Sequence, residues 1–116
     1  MSWPQTLKSP ITQKQIKELT LTFIEDMIKV AVDIKKEIIA AGCALHADAE
    51  QLLLKHGSEQ KNVWGANYFP FKKRGERLEY SALLNIRPRQ NNPSQFIQNK
   101  ETREKVKSIM EQYFEL

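Results

Sequence analysis

The hydrophobic residues of this chain change their spacing four times, and those changes constrain its fold more tightly than any composition value. A helix over about 13–26 is predicted because Ile16, Leu19 and Phe23, with Met27 just beyond, follow helical steps of three and four. Thr12 and Gln15 stand at capping-box spacing before them, with Ile11 and Ile16 placed as a hydrophobic staple. From Ile28 the period drops to two: Ile28, Val30, Val32 and Ile34 alternate with Lys29, Ala31 and Asp33, a strand pattern. Lys35-Lys36 reads as a turn and residues 37–46 as a returning strand. A helix over 49–56 follows, with Asp48 as its cap and Gly57 just past its end. A start nearer Ala44 is the alternative, because Leu45, Ala49, Leu52 and His56 also share a face. Residues 63–69 read as a third strand ended by Pro70. Leu78, Tyr80, Ala82, Leu84 and Ile86 then alternate with Glu79, Ser81, Leu83, Asn85 and Arg87, the clearest strand pattern in the chain. After an irregular loop over 88–99, Asn99 opens a last helix carrying Val106, Ile109, Met110, Tyr113 and Phe114 on one face.

The order αββαββα predicts an α+β domain: a two-layer sandwich, a four-stranded sheet with helices mainly on one face. The helix between strands two and three would make that pair parallel by a right-handed crossover. Residues 1–11 form an N-terminal tail and 12–116 a single domain. The single cysteine, Cys43, rules out an internal disulfide and fits a reducing, cytoplasmic setting. No apolar run approaches the roughly 18–20 residues that a membrane span needs, and the first residues lack the apolar stretch of a signal peptide. Phosphate-loop, dinucleotide-fold, paired-cysteine and nucleophile-elbow motifs are absent.

Charge is unevenly placed. Residues 1–26 and 27–56 each balance, whereas 57–100 carry eight Lys or Arg against three acids, and 101–116 return to −1. The net +4 thus comes from one middle segment holding Lys72-Lys73-Arg74, Arg87 and Arg89. Such clustering predicts a face that meets anions.

Three constellations carry possible chemistry. His46, Asp48 and Glu50 would share one side of an extended segment and could hold a metal or perform acid–base work; on a helix only His46 and Glu50 would be neighbours. Their structural reading is a cap, a first-turn acid and a hydrogen-bonded histidine. Asn85, Arg87 and Arg89 could bind an anion at a strand end, since guanidinium matches carboxylate and phosphate bidentately. Equally, Arg87 could pair with a structural acid such as Asp48 or Glu50, or cap backbone carbonyls. Trp64, Tyr68, Phe69 and Phe71 beside the basic run suggest a single-strand nucleic-acid platform, or plain sheet packing. Gly65 beside Trp64 suggests a bulge or a close backbone approach. Cys43, three residues before His46, reads as a small buried thiol.

Gly42, Leu45-His46-Ala47-Asp48, Glu50, Leu53-Leu54, Gly57-Ser58, Trp64-Gly65 and Asn85-Ile86-Arg87-Pro88 together resemble a small bacterial family of about a hundred residues, classed as a conserved domain of unknown function, with HADxE, WG and NIRP motifs. The resemblance runs from about Met27 to the last helix and brings no activity, cofactor or catalytic residue. It implies a site, if any, joining His46, Asp48 and Glu50 to Trp64, Asn85 and Arg87. The expectation is therefore a non-enzymatic module binding an anionic partner, nucleic acid or phosphorylated ligand, through Arg87, Arg89 and the 72–74 loop. The alternatives are a small metal-assisted hydrolase using His46, Asp48 and Glu50, and an interaction domain forming a homo-oligomer.

Overall fold

Eight main elements build the chain in a computed structural model that describes residues 3–116. They are β1 (Gln5–Thr6), α1 (Gln13–Phe23), β2 (Ile28–Asp33), β3 (Ile38–Ala41), α2 (His46–Lys55), β4 (Val63–Tyr68), β5 (Leu78–Glu79) and α3 (Lys100–Met110). Three short 3₁₀ turns, Gln60–Asn62, Leu83–Asn85 and Pro88–Gln90, lie between them. The class is α+β, and every strand pairing is antiparallel, in the order β1-β3-β2-β4-β5.

Local chemistry explains where the helices begin and stop. At α1 the Thr12 hydroxyl accepts from the Gln15 amide at 3.1 Å, and the Gln15 side chain accepts from the Thr12 amide at 2.9 Å. This reciprocal pair satisfies two orphan donors. The helix stops earlier than its hydrophobic spacing suggests, because Ile24 turns left-handed at φ 51°. At α2 the first helical residue is His46, so Asp48 lies in the first turn and is not the cap; there it complements the helix dipole. Gly57, with φ +92°, closes the far end as expected. Asn99 caps α3 by accepting from the Thr102 amide at 3.0 Å. The hairpin between β2 and β3 is closed by the buried carboxylate of Asp33, which accepts from the amides of Lys35 and Lys36, both at 2.9 Å.

Alternation along β2 divides the sheet into two faces. Ile28, Val30 and Val32 join Ile39, Ala41, Trp64, Ala66 and Tyr68 on one face, beneath Leu19 of α1 and Val106, Ile109 and Met110 of α3. Ala31, Ala40 and Val63 point to the other face, under Ala49 and Leu53 of α2. Truncating a large buried residue such as Leu53 to alanine costs about 2–5 kcal/mol in such cores.

The architecture differs from the sequence expectation in four respects. The sheet is covered on both faces, giving three layers and not two, because a second apolar patch of Ala31, Ala40 and Val63 lies opposite the main core and is covered by Ala49 and Leu53 of α2. It has five strands and not four, since Gln5–Thr6, inside the expected tail, pairs with Ala40 and Ala41; Met1 and Ser2 of that tail lie outside the described residues. Strands β3 and β4 do run parallel, but β2 lies between them, so the connection through α2 passes over β2 and does not join neighbouring strands.

The fourth difference concerns residues 78–87. Only Leu78–Glu79 pair as a strand. Beyond them the chain crosses β4 at Gly65, where a Cβ on the glycine would overlap the Cβ of Ala82 and sit 3.2 Å from Leu84 Cγ. The 3₁₀ turn then exchanges inside and outside, as any one-residue slip does. Asn85 and Arg87 become buried, while Leu83 is 72% exposed and Ile86 44% exposed. The polar face expected of a fourth strand therefore points inward.

Candidate functional site

The stripe His46, Ala49, Glu50, Leu53 is the face that α2 presents to the sheet. Ala49 and Leu53 fill it with apolar groups, whereas His46 and Glu50 bring polar groups to a buried margin where each needs a partner.

The histidine finds its partners on β4. Its Nε2 lies 2.7 Å from Asn67 Oδ1 and 3.1 Å from the Ala66 carbonyl. Asn67 in turn donates its amide to Glu79 Oε1 at 2.7 Å and to the Ser81 carbonyl at 3.0 Å. With both Asn67 N–H groups committed, its oxygen can only accept, and so can the Ala66 carbonyl. The network thus assigns the proton to Nε2 and leaves Nδ1 as an acceptor. Burial pushes the His46 pKa below its usual 6.5, against the smaller upward pull of these hydrogen bonds.

The glutamate finds Arg87. Glu50 Oε2 is 3.7 Å from Arg87 Nη2, and both side chains are largely buried. The guanidinium also donates to the Leu84 carbonyl at 2.9 Å, to Gln90 Oε1 at 3.4 Å and to the Val63 carbonyl, and it stacks 4.5 Å from the centre of the Trp64 ring. Burial lowers the Arg87 pKa and Glu50 opposes that shift; the group stays charged. This is the pairing with a structural acid that stood open in the sequence.

Asn85, fully buried, accepts from the Gly65 amide at 2.8 Å and donates to the Gly65 carbonyl at 2.9 Å and to the Gln95 carbonyl at 3.0 Å. Together with Arg87 it occupies the part of the β4 edge that β5 does not reach.

Two openings flank this arrangement. A groove of about 540 Å³ is lined by Lys29, Leu45, His46, Ala47, Glu50, Leu83 and Leu84. A cavity of about 400 Å³ is lined by Gln60, Arg87, Pro88, Arg89 and Gln90. Lys29 donates to the Ala44 carbonyl at 2.7 Å and lies 3.8 Å from Glu25.

His46, Glu50, Trp64, Asn85 and Arg87 are thus brought to one region by α2, β4 and the 83–87 segment. Arg89 stands beside them, exposed. Asp48 is exposed on the opposite side of α2 and lines neither opening. Among the described residues, no three His, Cys, Asp or Glu side chains cluster as a metal site would require. Cys43 is buried, and desolvation pushes its pKa to about 11, so it is held as a thiol. The basic run lies beyond the other end of β4, where Lys72 covers the Phe69 ring, Arg74 pairs with Glu115 at 3.5 Å, and Arg77 donates to the Glu115 carbonyl. Sequence reasoning missed Asn67, Glu79 and Lys29. Asn67 left one signal, an amide within an otherwise apolar strand where such residues are disfavoured.

No curated protein and no solved structure matches the chain significantly. The model of a family described as Protein of unknown function (DUF5674) matches residues 5–113, nearly the whole chain, and the protein belongs to that family.

Proposed function

We propose that this protein is a non-enzymatic binding module for a small phosphorylated or otherwise polyanionic ligand, held in the cavity of Gln60, Arg87, Pro88, Arg89 and Gln90. The observation that carries the reading is that Arg89 lines this cavity together with Arg87 and has no acidic or hydrogen-bonding partner among the described residues. Arg89 would make the direct contact. Arg87, already paired with Glu50, would orient the ligand through its remaining N–H groups.

A small ligand is favoured over a nucleic acid by what happens to the other cations of the middle segment. Lys61 pairs with Glu59 and Lys100 with Glu104, Lys72 covers Phe69, and Arg74, Arg77 and Arg87 are bound as described. Lys73 and Arg89 remain without a partner among the described residues, in segments beyond opposite ends of β4 (Val63–Tyr68), a strand about 17 Å long by its rise. A nucleic-acid face needs a continuous basic stripe and several exposed rings; Trp64 and Tyr68 are buried, which leaves Phe71 as the largely exposed ring of the expected platform. The free thiol of Cys43 fits a cytoplasmic setting.

Calorimetric titration with inorganic pyrophosphate, at low and high salt, tests this reading. The expected result is saturable one-to-one binding that weakens modestly with salt and is lost in Arg89→Ala. No binding at low salt, or binding untouched in Arg89→Ala, would overturn it. So would a single-stranded oligonucleotide that binds more tightly, with a salt slope reporting several released counterions.

A further inference from the structure

The groove beside His46 is separate from the Arg89 cavity and is not needed for anion binding. Its walls differ in kind: Leu45 and Leu83 are 64% and 72% exposed, large side chains kept in contact with water around an opening of about 540 Å³. Exposed leucines on both banks of one groove mark a place where apolar surface can be covered. The groove also contains an oriented neutral acceptor, distinct from the Glu50 carboxylate that lines it as well. His46 donates through Nε2 into the Asn67–Glu79 chain, and Nδ1 has no hydrogen-bond partner among the described residues and is not sealed from solvent. Holding an imidazole in one tautomer by two further side chains is how proteins fix the direction of a hydrogen bond.

The charges around it nearly cancel. Lys29 of β2 faces the groove, Glu79 of β5 stands behind Asn67, and Glu50 is offset by Arg87; Asp48 of α2 points away into solvent. A charged guest would gain little there.

We propose that this groove is a second ligand site, for a small neutral molecule with an apolar body and one O–H or N–H donor. The apolar body would lie between Leu45, Leu83 and Leu84, and the donor would be received by His46 Nδ1. Phenols, alcohols and cyclic amides have this chemistry.

The probe is 4-methylphenol, followed by amide chemical shifts in the full chain, with its methyl ether 4-methylanisole as the analogue that cannot donate. The expected result is saturable shifts centred on His46, Ala47 and Leu83. The ether should bind about tenfold more weakly, the worth of one hydrogen bond. Leu83→Glu should abolish the shifts while amide dispersion reports an intact fold, and Arg89→Ala should leave them unchanged, which separates this site from the anion cavity. Absence of saturation, equal binding of the phenol and its ether, or shifts centred elsewhere would overturn the proposal. The ether comparison uses the unaltered protein and so does not depend on any variant folding.

Discussion

Asn85 offers the edge of β4 what a neighbouring strand would offer: an acceptor for the Gly65 amide and a donor for its carbonyl. Arg87 extends the same edge by bonding the Val63 carbonyl, and its charge is balanced by Glu50. Removing either partner of a buried pair leaves an uncompensated group, a loss that commonly reaches 3–5 kcal/mol for ions. His46 belongs to the same layer but differs in that its ionisation depends on pH. Because burial lowers its folded-state pKa below 6.5, the unfolded chain takes up this proton first as pH falls. Stability associated with His46 is therefore complete above the unfolded pKa and declines as pH drops through it, until the folded histidine is protonated as well. Urea unfolding between about pH 7.5 and about pH 5 should show a downward slope in the parent that is shallower in His46→Gln. Parallel slopes would mean that the imidazole titrates alike in both states.

The helices were largely legible in the sequence because their signals are local. The capping box at Thr12, the cap at Asn99 and the terminating Gly57 all lie within one turn of what they control. The segment 78–87 was not, because its alternation is genuine but the 3₁₀ turn Leu83–Asn85 reverses which side is buried, and the cause lies some twenty residues away. Gly65 is the smallest residue of β4, and its missing side chain is the space that Ala82 occupies. Gly65→Ala should destabilise the fold by about 2–3 kcal/mol, the usual cost of overpacking. Ala82→Gly placed on top should recover part of that loss, since the two residues touch. Denaturant unfolding of the two single variants and the double variant would give the coupling. Strictly additive losses would contradict a direct collision. The two-residue strand β1 was invisible for another reason: Gln5 and Thr6 carry no periodic pattern, and only the exposed edge of β3 makes them a strand.

At the scale of the molecule, a radius of gyration of 13.0 Å is close to the ~13 Å expected for a compact chain of this length, and helices on both faces account for it. The middle-segment charge, read from sequence as one anion-facing surface, divides into two parts. The 72–77 loop holds residues 115–116 through Arg74, Arg77 and the Gly75 amide, and residues 85–89 close the edge of β4 and end at Arg89. That the segment was basic was legible; which cations are already engaged was not, because their partners are carbonyls and acids remote in sequence. On the proposed reading the labour is divided: Asn85 and Arg87 hold the fold, and Arg89 would make the direct contact with a ligand. The most direct test of this division is the unfolding free energy of Asn85→Ala beside Arg89→Ala under identical conditions. Asn85→Ala should lose about 2–4 kcal/mol, because two backbone groups of Gly65 lose their partners in a buried edge. Arg89→Ala should stay within about 0.5 kcal/mol of the parent. Equal losses in the two variants, or an Asn85→Ala protein as stable as the parent, would contradict the account.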